Sequence, residues 1–192
     1  GGSELQSDIV FALETTRNDE KTVFAGTARG LFVSRDGAQS WQILGENLVG
    51  LSIREIYISQ IDSERMYVGT FTSGIYRSDD GGLNWMAVND GLDVQAIRSL
   101  AVDPNDESRL YVATTTGGFY RTAPTTERWE SINTGLPRLA ARDVTVLPSA
   151  PVRILGTGPG MGVWEISFAP QPALQVARAP VVYGETAVRE TR

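Results

Sequence analysis

Three arginines, Arg54, Arg98 and Arg142, recur every 44 residues along this chain. A guanidinium presents a planar fork of N–H donors that matches a carboxylate two bonds at a time. Three forks held at one level of a repeating fold would make a local positive patch on a chain of formal net charge −6. The chemistry expected of such a patch is capture of a carboxylate ligand or of an acidic partner surface. The spacing also has a plainer reading, in which a repeat copies its own residues. Each arginine would then pair with a carboxylate beside it, such as Glu55 or Asp143.

Other chemistries are thinly supplied. The chain has no histidine and no cysteine, which removes the Ser-His-Asp triad, the cysteine nucleophile, the imidazole ligand and the thiolate zinc site. A glycoside hydrolase needs two acids facing each other across a cleft. Asp36 and Asp80 cannot be that pair, because they belong to corresponding turns of different repeats. Asp79, Asp103, Asp106 and Glu107 fall in turns and read as solvated. The cluster at 105–107 offers oxygens to calcium without the spacing of a dedicated loop, so no metal and no cofactor is expected. The expectation is a protein without catalytic activity.

The elements that must position these side chains announce themselves by repetition. SDDGGLNW at 78–85 carries Ser78, Asp80, Gly82 and Trp85, and SRDGAQSW at 34–41 carries Ser34, Asp36, Gly37 and Trp41. The carboxylate can accept N–H bonds from its own turn, and the glycines supply positive φ. Such a turn closes a hairpin, after which the tryptophan begins the next strand with its ring toward the core. A third copy at 120–129 keeps the frame but has Pro124 in place of the aspartate. The strands before these turns read VFAGT, YVGTF, YVATT and ILGTG, with Gly26, Gly69, Ala113 and Gly156 spaced 43, 44 and 43 residues apart. A fixed period of that length is the mark of a repeat architecture, here one propeller blade per period.

Short β-rich runs divided by Gly, Asn and Asp then give four-stranded units at 8–48, 53–92, 96–136 and 142–168. The predicted fold is all-β, a propeller of four-stranded antiparallel blades with about four repeats: partial, unusually small, or completed by another subunit. Each unit exits through a matching turn, 46–48, 90–92 and 134–136. Asn47 is expected to share the positive φ of Gly91 and Gly135. Trp164 falls where Tyr76 and Tyr120 fall, so it belongs to a third strand. Residues 1–7 read as a leader or expression remnant. Residues 169–192 read as an extended tail or, from Leu174, a late outer strand.

The turn sequence resembles the Asp-box or BNR repeat, S-x-D-x-G-x-x-W, found between the third and fourth strands of propeller blades. Ser78, Asp80, Gly82 and Trp85 match every position, and Ser34, Asp36 and Trp41 match with the glycine moved to Gly37. The resemblance covers about 8–168 and implies the fold. The box occurs in sialidases, xyloglucan hydrolases, sortilin-like receptors and the photosystem II assembly factor family, where it is a fold element distant from any ligand. Sialidases of this kind grip a carboxylate with an arginine triad beside a Tyr/Glu nucleophile pair and an Asp acid. Of that set only the arginines have counterparts here.

The resemblance therefore implies a non-catalytic interaction scaffold or assembly subunit of a larger complex, with the photosystem assembly family as the nearest role. Two other readings stand beside it: a fragment of an extracellular glycoside hydrolase or glycan-binding propeller, and a sensor module of a larger receptor. The acidic balance argues against nucleic acid, whose phosphates call for basic residues. No run of 18 apolar residues is present to cross a membrane as a helix. The lack of cysteine favours an exported or periplasmic bacterial protein over a cytoplasmic one. Four units expose sheet edges and faces, so a second copy or another subunit is expected to cover the terminal blades.

Overall fold

A computed structural model describes residues 5, 8–17, 19–123, 128–136, 139–149, 152–168 and 174–178. The remaining leader residues, the third turn at 124–127 and the tail beyond Arg178 lie outside the described residues. Among the described residues sixteen strands form four separate sheets of four, each sheet made of strands consecutive in the chain. The first blade comprises β1 (Val10–Thr16), β2 (Asp19–Thr27), β3 (Gly30–Ser34) and β4 (Gln42–Leu44). The second comprises β5 (Ile53–Ile58), β6 (Met66–Thr70), β7 (Ile75–Ser78) and β8 (Met86–Ala87). The third comprises β9 (Ile97–Asp103), β10 (Asp106–Thr114), β11 (Gly118–Thr122) and β12 (Trp129–Ser131), and the fourth β13 (Asp143–Leu147), β14 (Arg153–Gly158), β15 (Gly162–Phe168) and β16 (Leu174–Arg178). Every pairing is antiparallel. No α-helix occurs among the described residues; one 3-10 turn spans Glu46–Leu48.

The innermost strands stand side by side, β1 with β5, β5 with β9 and β9 with β13. No packing of comparable extent returns β13 to β1 among the described residues, so four blades make part of a ring. Between each pair of neighbours lies an apolar core. The periodic small residues explain themselves here. A Cβ on Gly26 would lie 2.9 Å from Ile53 Cγ2 and one on Gly69 would lie 2.8 Å from Ile97 Cγ2. In the first two blades the second strand gives up a side chain so that the next inner strand can lie on it, while the third keeps the small Ala113 and Gly156 of the fourth makes room for the Phe119 ring of the blade before it.

The aspartate turn is a closed network of bonds. Asp80 Oδ1 accepts from Ser78 Oγ at 2.8 Å and from the Asn84 N–H at 2.9 Å, while Ser78 Oγ accepts from the Gly82 N–H at 2.9 Å. Asp36, Ser34, Ala38 and Ser40 repeat this arrangement in the first blade. These bonds hold both carboxyls well below the usual range, at about 2, with the contributions of Ser40 and Asn84 the largest. Two residues in each turn have positive φ: Gly37 and Ala38 in the first, Gly81 and Gly82 in the second.

Three expectations need correction. Asn47 does not share the positive φ of Gly91 and Gly135. It sits in the 3-10 turn, the reversal being taken by Gly45 at φ 74°, and its side-chain amide donates to Trp85 O at 2.8 Å. Trp164 pairs with Gly156, the register of Ile75 and Phe119 and not that of Tyr76 and Tyr120. Trp164 lies eight residues beyond Gly156 where Ile75 lies six beyond Gly69, so the third strand of the fourth blade is set along by two residues. Trp41 is only half-buried, whereas Trp85 and Trp129 are buried. The turn tryptophan packs on the blade before it: Trp85 lies against Gly45, and Trp129 Nε1 donates to Val88 O at 2.6 Å. Among the described residues Trp41 has no blade before it.

Candidate functional site

The three arginines enter just where the inner strands begin: Arg54 in β5, Arg98 in β9 and Arg142 immediately before β13. Arg54 is the most enclosed. Its guanidinium carbon lies 3.6 Å from the centroid of the Phe11 ring and 4.7 Å from that of Phe71. The Arg98 guanidinium carbon lies 5.4 Å from the centroid of the same Phe71 ring. The order Phe11, Arg54, Phe71, Arg98 is thus a ladder of rings and cations, each cation attracted by the ring quadrupole. Phe11 holds in the first blade the frame position of the arginines, 43 residues before Arg54.

The expected pairing with neighbouring carboxylates does not occur: none of the three arginines has an acidic partner among the described residues. Arg54 Nε is buried without a hydrogen-bond partner. Burial, and after it the charge of Arg98, lowers the pKa of Arg54. The β5–β6 register shifts between Ile53 and Glu55, so Arg54 stands at an irregularity outside the ladder and Arg142 precedes β13, whereas Glu55 and Asp143 stand in register with Gly69 and Thr157.

Those acids form a second row with the same 44-residue spacing, Glu55, Ser99 and Asp143. Ser99 Oγ donates to Asp143 Oδ1 at 2.7 Å. Glu55 is half-buried, and burial followed by the Asp143 charge pushes its carboxyl up to about 7. A carboxyl poised near neutrality is the electrostatic arrangement that acid–base chemistry uses.

The turn acids are not uniformly solvated. Asp103 is buried and accepts the Asn105 N–H at 2.9 Å. Glu107 reaches from the third blade into the second, where Oε1 accepts from Tyr57 Oη at 3.0 Å and from the Gln60 N–H at 2.8 Å, and Oε2 accepts from Ser59 Oγ. Asp79 accepts from Arg65 at 3.2 Å and Arg77 at 3.0 Å, and Asp106 lies 2.9 Å from Arg109. The cluster at 105–107 therefore does not converge on a shared point. Beside it, a cavity of about 400 Å³ opens in the seam of the second and third blades, lined by Tyr67, Trp129 and the Arg65–Asp79–Arg77 group.

Phe71 went unremarked as a partner of the arginines, and Glu55 was named only as an ion-pair partner for Arg54, although the repeat frame contained both. Phe71 ends YVGTF where YVATT ends in Thr115, and Glu55 follows Arg54 as Asp143 follows Arg142. Aligning residues flanking the arginines, and not the arginines alone, would have found them.

Radial four-stranded blades with adjacent inner strands define a β-propeller, here four blades of one. No protein-family model matches the chain, and neither does any curated protein. Solved structures do. The GH74 enzyme of Niastella koreensis superposes with a TM-score of 0.67 at 22% identity, over 85% of this chain and 28% of that one. YCF48 bound to D1 peptide gives 0.58 at 20% identity over 85% and 50%. The extracellular domain of BT4673 from B. thetaiotaomicron, named for a two component system, gives 0.64 at 20% identity over 95% and 23%. At these identities the likeness is one of fold. The chain spans between about a quarter and a half of the length of these proteins.

Proposed function

We propose that this chain is a non-catalytic propeller scaffold, an accessory or assembly subunit whose first-blade face docks on another polypeptide and whose arginine face receives acidic groups. The observation that carries this reading is the row across the first blade's outward side. Leu13, Ala25, Phe32 and Ile43 pair in register from β1 to β4; Ala25 and Phe32 in its middle are buried, and the apolar surface lies at its two ends, where Leu13 is 65% exposed and Ile43 45%. Ile9 and Val10 extend that apolar edge. Burying about 400 Å² of such surface contributes on the order of 10 kcal/mol before association costs, which makes isolated exposure unfavourable. YCF48, a propeller with a polypeptide ligand, is a similar fold put to a comparable use. A glycan platform would want free ring faces; Arg54 covers those of Phe11 and Phe71 instead. Sedimentation of the purified chain tests the assembly. Self-association, or a complex with a partner that Leu13→Asp abolishes, supports it; a compact monomer at micromolar concentration that binds nothing through this face sinks it.

One observation favours a second reading. Glu55, raised to about 7 by burial and then by the charge of Asp143, has the character of a glycosidase acid, with Asp143 as its candidate partner. Hydrolysis of xyloglucan by the chain, lost in Glu55→Gln and in Asp143→Asn, would replace the scaffold by an enzyme.

A further inference from the structure

The gap between Arg98 and Arg142 differs from that between Arg54 and Arg98 by one side chain. Phe71, at the exit of β6, fills the earlier gap with its ring. Its counterpart one repeat later is Thr115. The backbone does the same thing at both places: the Phe71 N–H donates to Ser52 O at 2.9 Å and the Thr115 N–H to Ala96 O at 3.0 Å. The ring is missing and the space it would fill is open. What remains is a cavity of about 310 Å³ walled by Arg98, Thr115, Ala140, Ala141, Arg142 and Pro159.

Its walls are fixed before any ligand arrives. The Ala141 N–H donates to Thr114 O at 3.1 Å, tying the approach to the fourth blade onto the third, and the Arg142 N–H donates to Thr157 O at 2.7 Å. Arg98 and Arg142 are exposed and have no carboxylate partner among the described residues. Two cations flanking one cavity repel each other, and an anion between them converts that repulsion into two attractions. Arg54 is placed differently. With rings on both sides and Nε buried, it has no open flank to offer.

We propose that the cavity between Arg98 and Arg142 is the carboxylate site of the arginine face, that it takes a single Asp or Glu side chain of a partner polypeptide, and that residue 115 decides whether the gap is open. This rests on the reading of the arginine face as a receiver of acidic groups. The choice of a side chain over a free anion follows from the walls. Two guanidinium forks bind the carboxylate bidentately, while Ala140, Ala141 and Pro159 give its methylene stem an apolar surface that phosphate cannot use.

The test is calorimetric titration of the purified chain with hexaglutamate, and separately with inorganic phosphate, at low ionic strength. Thr115→Phe, which rebuilds the Phe71 arrangement on a backbone already seen to carry it, is expected to weaken hexaglutamate binding at least tenfold. Arg98→Gln and Arg142→Gln each do the same, and both outweigh Arg54→Gln by at least fivefold. Thermal melts establish that each variant is folded. If hexaglutamate binds and the triple glutamine variant abolishes it, yet Thr115→Phe binds as the parent does or Arg54→Gln weakens it as much as the others, the arginine face stands and this cavity is not its site. Should Thr115→Phe fail to fold, the ranking of the three glutamine variants decides. Phosphate binding as tightly as the peptide overturns the polypeptide source. No binding of hexaglutamate by the parent overturns the proposal together with the acidic-partner reading beneath it.

Discussion

The seam between the first and second blades and the seam between the second and third are built to one plan with different materials. In the first, Phe24, Leu31, Val33 and Leu44 meet Ile56, Ile58, Met66, Val68 and Trp85 in a continuous apolar layer. In the second, the register positions of Phe24 and Val33 are taken by Tyr67 and Arg77, and Arg65 and Asp79 complete an ionic group beside a cavity of about 400 Å³. Glu107 bridges the same seam through Tyr57, Ser59 and Gln60, and Glu55 lies on it at the inner end. The ionic groups at its rim are half-exposed, so that rim gains less from charge than the dry seam gains from area. A repeat protein's stability is close to a sum of such nearest-neighbour terms. The difference therefore predicts that the first pair of blades resists opening longer than the second.

The variants that probe this difference span a range of sizes. Trp85→Ala removes a buried ring from the dry seam and should cost about 3 to 5 kcal/mol in chemical denaturation. Trp41→Ala, the same change on a ring that no described blade covers, should cost far less. Equal losses would mean that the tryptophan serves its own turn and not the seam. Glu107→Ala strands three donors of the second blade and should cost about 1 to 3 kcal/mol. Amide exchange should then rise in β9 and β10 before it rises in β5 and β6; exchange rising uniformly would deny that the two seams differ.

Glu55 gives the wet seam a pH dependence. Its carboxyl is raised from 4.5 to about 7, so the folded state holds the proton more tightly than the unfolded chain. The resulting stability is fully present below about 4.5 and is lost as pH rises through about 7. At 1.36 kcal/mol per unit, reduced for partial exposure, Glu55→Gln should gain about 1 to 2 kcal/mol over the parent at pH 8 and almost nothing at pH 4.5. Melting curves at the two values decide it, and a gain equal at both would mean that the carboxyl is not desolvated.

What the sequence disclosed and what it hid divide along the same lines. Period, strands and aspartate turns were legible because each rests on contacts within a few residues: Ser78 with Asp80, Gly82 with Ser78. The arginine row was legible as spacing. Its company was not, because Phe11 and Phe71 meet Arg54 from a neighbouring blade and from another strand, and pairing of that kind leaves no local signal. Glu107 is the same case. It reads as a turn acid until a blade 48 residues earlier brings Ser59 against it. Asn47 misled for a different reason: an Asn aligned with two glycines suggested a shared φ, but Gly45 two residues before it had already turned the chain.

The smallest expected effect sharpens the comparison most, because it concerns a single methyl group. Ala38 and Gly82 occupy the same place in the first and second aspartate turns, both at positive φ, 68° and 91°. Gly82 is buried, and a Cβ there would lie 2.7 Å from Leu44 Cδ2 of the blade before it. Ala38 is exposed, and its methyl is free to remain. An L-residue in the left-handed region costs about 1 to 2 kcal/mol, part of which glycine returns through its greater freedom in the unfolded chain. Ala38→Gly should therefore gain about 0.5 to 1 kcal/mol, a rise of roughly 1 to 4 °C in melting temperature for a chain of this size. Gly82→Ala carries the same backbone strain plus the collision with Leu44, and should lose clearly more than Ala38→Gly gains. A Leu44→Ala background should recover part of that loss, since it removes the colliding methyl. If Leu44→Ala leaves the cost of Gly82→Ala unchanged, the glycine answers only to its own turn, and the close approach of the first blade to the second has no part in selecting it.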